Sequence, residues 1–131
     1  MVRLSKKTDY AIQFLLALHD AKDAPLSLGS FARESHISFL FLQHIVRSLK
    51  SHGLLMVTKG REGGYTLAKS LTEVTVKEVS DLLEGAPSVV PCIAAPSSCG
   101  LSGKCGARKR FITVNEKINT VLSSITLADL L

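Results

Sequence analysis

An apolar stripe at helical spacing opens the chain: Tyr10, Ala11, Phe14, Leu15 and Leu18 follow Ser5, a residue type that caps helix N-termini, and the stripe stops near His19-Asp20. A linker over 21–26, containing Pro25, leads to Ser27, where Leu26 and Phe31 are spaced as a hydrophobic staple across a second cap. This second helix is predicted to end at Ser35-His36. The device then repeats, with Ser38 as cap, Ile37 and Leu42 as staple, and Gly53 where a helix would stop. In the third helix Leu42, Ile45, Val46 and Leu49 form a face to be buried, which leaves Gln43, His44, Arg47 and Lys50 outside. Two short capped helices joined by a tight turn are the sequence form of a helix-turn-helix.

Beyond Gly53 the pattern changes from helical to extended. Residues 54–58 and 65–68 read as the strands of a β-hairpin around a glycine-rich tip, 59–64, on which Lys59 and Arg61 place two positive charges. Gly63 and Gly64 would let that tip approach another surface closely. Thr75-Val76-Lys77-Glu78 is a capping box for a fourth helix, with Val76, Val79, Leu82 and Leu83 inward and Gly85 as its stop. Residues 86–106 hold three of the four prolines and every cysteine, and show no helical or alternating pattern, so they are predicted as a loop. From Ala107 helical order resumes: Phe111, Val114, Ile118, Val121, Leu122 and Ile125 repeat at about 3.5 residues, and a capped element over 126–131 follows. The expected fold is mainly α with a small β-hairpin wing: a winged helix-turn-helix over 1–85, a cysteine-bearing loop over 86–106, and a long C-terminal helix with its closing element over 107–131.

The 131 residues, 46% hydrophobic, suffice for one packed domain and exclude wholesale disorder. The net charge is +5, and residues 1–65, with nine basic and five acidic side chains, carry +4 of it. An excess so placed points to a polyanion, either nucleic acid or an acidic membrane surface. No apolar run approaches the roughly 18 residues of a membrane span, and Lys6, Lys7 and Asp9 interrupt any signal-peptide pattern, so a cytoplasmic protein is expected. Hydrolase elbows, phosphate loops, paired catalytic carboxylates and zincin motifs are missing from the sequence, which reads as that of a non-enzyme.

A recognition helix places its N-terminal turn against base edges in the major groove. The residues in that position are Ser38, Phe39, Leu40, Phe41, Gln43, His44 and Arg47. Gln43 and His44 can hydrogen-bond bases, Arg47 can reach a guanine or a phosphate, and Leu40 can touch a thymine methyl group. Lys6, Lys7, Lys59 and Arg61 would neutralise phosphates, the wing pair entering a minor groove, with Gly63 and Gly64 permitting the approach. The plain alternative is that these are solvated faces of a small basic domain; the agreement of order, spacing and charge across independent elements favours DNA.

Cys92-x6-Cys99-x5-Cys105 is an odd set within fourteen positions, which argues against a closed disulfide framework. It also lacks the C-x2-C pairs of structural zinc sites. An iron–sulfur cluster suits three thiolates on a proline-stiffened segment, and Lys104, Arg108, Lys109 and Arg110 would offset the cluster's negative charge. A fourth ligand would then be a carboxylate, a histidine, a small molecule or a residue of a second subunit. The competing reading is a set of redox-reactive thiols without metal.

Several stretches together resemble a known family: 3–11 at the start, Ile37-Ser38 with Phe41-Leu42, Gly53-Leu54-Leu55, Gly60-Arg61-Glu62-Gly63-Gly64-Tyr65-Thr66-Leu67-Ala68 over the wing, the three cysteines, and 125–130 at the end. The chain resembles the Rrf-two family of bacterial winged-helix repressors, and the wing with the cysteine triplet is the most specific part of the match. The resemblance implies a homodimer held mainly by the helix from about Ala107 to Ser124, reading a two-fold-related operator in double-stranded DNA. It implies that Cys92, Cys99 and Cys105 hold an iron–sulfur cluster (4Fe-4S or 2Fe-2S) near the dimer interface, sensing nitric oxide, redox state or iron status. By position, Asp9 of the partner subunit matches a fourth ligand of some members; as a helix residue it is equally a first-turn acid favoured by the dipole. Where some members carry a histidine three positions past the last cysteine, this chain has Arg108, and its first cysteine interval is one residue longer than in many members. Leu40 and Phe41 also make its recognition turn more apolar. Two other functions fit the same features: a cluster-free repressor sensing by thiol oxidation, and, in a different class, an iron–sulfur assembly or electron-transfer protein docking an acidic partner.

Overall fold

The computed structural model describes residues 3–131. Three helices, α1 (Lys6–Asp20), α2 (Leu28–Ser35) and α3 (Phe39–Ser51), begin where the capping serines stand. Ser5, Ser27 and Ser38 accept the backbone N–H groups of Thr8, Ser30 and Phe41, which satisfies donors that a helix start leaves free. The turn between α2 and α3 is made by His36 in the left-handed region, φ 57°, and Gly53 takes the same region, φ 73°, after α3.

The core gathers the inward stripes of these helices. Phe14 and Leu15 of α1 and Leu42, Ile45 and Leu49 of α3 are almost wholly inaccessible, together with Leu54, Val79 and Leu127. Each such side chain contributes about 1.5–3 kcal/mol relative to exposure, so this cluster dominates the stability of the domain.

The wing is an antiparallel pair, β1 (Leu55–Thr58) and β2 (Gly64–Leu67), with Leu55 opposite Leu67 and Thr58 opposite Gly64. It is fastened at its base because Leu26 and Tyr65 exchange both backbone hydrogen bonds, at 3.0 and 2.9 Å. Phe14 packs there between Phe31 and Tyr65, with ring centroids 5.1 and 6.0 Å away. The wing is thereby tied to the linker before α2.

Helix α4 (Val76–Glu84) starts at Thr75, whose hydroxyl accepts the Glu78 N–H, but the expected capping box is half made: the Glu78 carboxylate pairs with Lys69 at 3.6 Å. Val76 and Val79 are buried as expected, while Leu82 and Leu83 are only half-buried at the edge of the core. A second tie joins the ends of α1 and α4, where the Ser5 hydroxyl donates to Glu84 at 2.7 Å.

The segment 86–106 differs from the patternless loop expected. It contains a short helix, α5 (Pro91–Ala94), and a 3-10 turn, Pro96–Ser98, each opened by a proline whose fixed φ suits a first helical position. Elements this short carry no periodicity, which is why pattern alone missed them. The long helix α6 (Gly106–Ser124) begins one residue before the expected start, capped by Cys105. Its end folds back: Ile125 accepts the Val76 N–H, the Leu127 N–H donates to Val74, and Leu127 fills the core at 0% exposure. Thr126 and Asp129 make a complete capping box over the closing 3-10 turn, Leu127–Leu130.

Candidate functional site

The outer face of α3 presents Gln43, His44 and Arg47 to solvent, and its first turn exposes Phe39 and, at 69%, Leu40. A side chain as apolar and open as Leu40 leaves a favourable contact unmade in the free protein. Ser38 is engaged as the cap. Phe41 departs from the base-reading role expected of it: it turns inward, half-buried, with its ring edge-on to Tyr10 at 5.7 Å, and so braces the recognition turn against α1.

Packing of α1 against α3 brings together charges that are far apart in sequence. Lys7, His44 and Arg47 line one groove, floored by Phe41 and Ile45, and Lys6 stands beside it exposed on the same first turn. A second groove between α3 and the base of the wing is lined by Gln43, Arg47, Lys50 and Tyr65. Lys50 was not among the expected site residues, although its spacing from Gln43 and Arg47, i+7 and i+3, places it on their face. Lys59 and Arg61 project from the wing tip.

The wing glycines have an internal reason to be glycine. A Cβ on Gly63 would collide with the Thr58 carbonyl oxygen, and one on Gly64 with the Leu26 carbonyl oxygen. Both therefore serve the closure of the hairpin and its seat on the linker, rather than only a close approach to DNA.

The three cysteines are free thiols. Cys92 on α5 and Cys105 are half-buried and Cys99 is exposed. Arg108 links two of them: its backbone N–H donates to Cys105 Sγ at 3.4 Å, and its Nε donates to the Cys92 carbonyl at 3.1 Å. One helical stretch further along α6, Asn115 Oδ1 accepts the Val89 N–H at 3.0 Å. The cysteine segment is thus moored to α6 at two points. Asp9 is elsewhere, exposed in the first turn of α1 and accepting a hydrogen bond from Gln13 at 2.9 Å.

A family model described as an iron-dependent transcriptional regulator, Rrf2, matches residues 4–131. The chain belongs to the Rrf2 family. An rrf2-like HTH-type regulator of Rhodobacter capsulatus is 30% identical over 98% of this chain and 91% of its own length. Among solved structures, CymR, the global cysteine regulator of B. subtilis, superposes with a TM-score of 0.76 at 28% identity, over 99% of this chain and 96% of that one. IscR of T. potens superposes equally well, TM-score 0.76 at 27% identity, over 98% of this chain and 85% of that one. As an Rrf2 protein the chain is a winged-helix, DNA-binding transcriptional regulator and not an enzyme. No helix among the described residues is long and apolar enough to cross a membrane.

The Rrf2 assignment raises the question of whether the cysteines suit an iron–sulfur cluster. The chemistry of the donors suits it: three free thiols on one segment, with the Arg108 guanidinium on the Cys92 carbonyl and the Arg108 backbone N–H on Cys105 Sγ. Their arrangement in the single chain does not, because among the described residues no three His, Cys, Asp or Glu side chains converge where a metal could sit. The structure also does not bring Asp9 into a common group with the cysteines.

Proposed function

We propose that this Rrf2 regulator acts as a homodimeric repressor whose affinity for a two-fold operator is set by the cysteine segment. Ser38, Phe39, Leu40, Gln43, His44 and Arg47 read the major groove, with Lys6, Lys7, Lys59 and Arg61 on phosphates and Phe41 bracing the turn from within. The exposed apolar edge of α6, Phe111, Val114 and Val121, supports pairing with a second copy through that helix, since three such residues on one helix edge lack cover in the single chain.

For the sensing step, Cys92, Cys99 and Cys105 are assigned as the thiolate ligands of an iron–sulfur cluster, in a rearranged form of the segment, with Asp9 of the partner subunit as candidate fourth ligand. Such a cluster, when bound, supplies redox chemistry and reactivity toward oxygen or nitric oxide. The observation that carries the reading is the double mooring by Arg108 and Asn115. Any rearrangement that regroups the three thiols pulls directly on α6, and α6 is fixed to the DNA-binding core at its other end by Leu127. A coupling of about 1–3 kcal/mol would change operator affinity about 5- to 150-fold.

The test is anaerobic. Coloured protein with stoichiometric iron and sulfide, binding operator differently from cluster-free protein, is the expected outcome; equal affinity of the two forms rejects the sensing step. The free, partly exposed thiols favour one second reading, a metal-free switch by thiol oxidation. Colourless protein that changes operator affinity through a reversible disulfide supports that instead.

A further inference from the structure

A cleft of 310 Å³ lies where three parts of the molecule meet: the start of the chain at Arg3 and Leu4, helix α4 at Ser80, and the face of α6 that carries Asn115 and Asn119, with the root of the cysteine segment at 87–89 along its rim. Neither the operator surface nor the thiols occupy it. Its volume is at the lower end of the range of small-molecule sites, and its composition, apolar walls with a few polar groups, is of the kind that orients a ligand.

The polar groups are mostly donors. Arg3 is the one charged residue lining the cleft, and it has no acidic partner among the described residues. Ser80 is only 5% exposed, yet its hydroxyl makes no hydrogen bond among the described residues. It differs in this from Ser35, Thr120 and Ser123, which each donate to the carbonyl one turn back. The Ser80 hydroxyl lines the cleft, so a ligand there can be its partner. Asn115 commits its Oδ1 to the Val89 N–H, which leaves its NH2 group as a free donor, and the Asn119 side chain adds a second amide. The remaining wall, Leu4, Val89, Ile118 and Leu122, is apolar.

One cation with two amides and a hydroxyl at one side, and aliphatic side chains at the other, match a single carboxylate on a short aliphatic body. We propose that this cleft is a binding site for a small aliphatic monocarboxylate, its carboxylate held by Arg3, Asn115 and Ser80 and its alkyl part against Ile118 and Leu122. A phosphate ester is matched less well, since a dianion calls for more than one cation. Of the exposed apolar residues of α6, Val114 and Val121 lie about 100° around the helix from the cleft residues, while Phe111 stands one turn before Asn115 on the cleft's own face. None of the three thiols lines the cleft.

Titration of the reduced, full-length protein with hexanoate, using hexanamide as its uncharged match, tests the assignment by calorimetry and amide hydrogen exchange. Hexanoate is expected to bind at least about tenfold tighter than hexanamide, and Arg3→Gln to erase that preference without moving the melting temperature, because Arg3 is exposed. Asn119→Trp, which fills the cleft, is expected to abolish binding. In the unaltered protein hexanoate should slow exchange of the Val89 amide, a readout that needs no variant. Failure of hexanoate to bind at millimolar concentration, equal binding of the amide, or unchanged binding by Asn119→Trp would each overturn the proposal.

Discussion

Helices α3 and α6 look alike in sequence, each with an apolar stripe and a polar face, and differ sharply in what meets that stripe. In α3 four of thirteen residues are buried, and the stripe is answered within the chain by α1, α2 and α4. In α6, nineteen residues long, none is buried; one edge leans half-covered on α4 while Phe111, Val114 and Val121 stand open. Periodicity therefore reports that a helix has a face, and says nothing of whether the cover comes from the same chain. The first 85 residues supply most of the packed core, which Leu127 completes on the return of the chain, while the cysteine segment is held to α6 by polar fastenings.

The contrast can be broken most severely in the core. Leu49→Ala is expected to cost about 2–5 kcal/mol in chemical unfolding, whereas Val121→Ala at dilute protein should stay within about 0.5 kcal/mol. Equal losses at the two positions would erase the distinction. On the self-association side the order should invert: Val121→Asp slows nothing in folding but shifts the sedimentation profile to the lighter species, while Leu49→Ala affects association only as far as it unfolds the chain.

On the DNA face, Arg47→Ala is expected to weaken operator binding by about 1–3 kcal/mol, and Lys59→Ala to lower the salt slope by about one unit with a smaller loss at fixed salt. Neither should alter the melting temperature by more than a surface change does, as both side chains are exposed. Operator titrations across salt check both, and unchanged affinity in both variants would remove α3 and the wing from the interface.

A smaller effect should mark the moorings. Arg108→Ala removes the bond to the Cys92 carbonyl and leaves the helix cap at Cys105 in place, so maleimide labelling of Cys92 should accelerate severalfold relative to Cys99. The smallest effect is expected at the closing turn. The backbone N–H and hydroxyl of Thr126 hold the Asp129 carboxyl below its ordinary value. Its contribution to folding is therefore fully present above the unfolded carboxylate range and is lost as the pH falls through the lowered folded value. Amide exchange over 127–131 should quicken across that acid window before the α1–α3 core responds; Asp129→Asn should flatten the dependence.

What was legible in the sequence was local. Ser5, Ser27, Ser38 and Thr75 announce helix starts because a side-chain oxygen satisfies an N–H two or three residues on, and nothing distant is needed. The inward stripes of α1 and α3 were legible for the same reason, as was the hairpin. Sequence alone points Gly63 and Gly64 toward an approach to DNA, whereas their steric reason, the carbonyls of Thr58 and Leu26, depends on a strand and a linker that come together only in the fold. Phe41 reads as part of the expected DNA surface because it shares the first turn of α3 with Phe39 and Leu40; its contact with Tyr10 spans two helices. The cysteine segment was the least legible part. Its fastenings, Cys92 to Arg108 and Val89 to Asn115, join residues 16 and 26 positions apart through polar side chains that carry no hydrophobic period. Lys50 could have been found, since it shares the helical phase of Gln43 and Arg47.

The return of the chain at Leu127 has a mechanical meaning. With its far end clamped into the core, α6 is a rod of about 28 Å hinged at one extremity, so each degree of tilt sweeps the cysteine end through about half an ångström. Displacements there of the size of a single bond length would ask for a rotation of only a few degrees at the pivot, and that pivot shares its strand-like pairing with the start of α4.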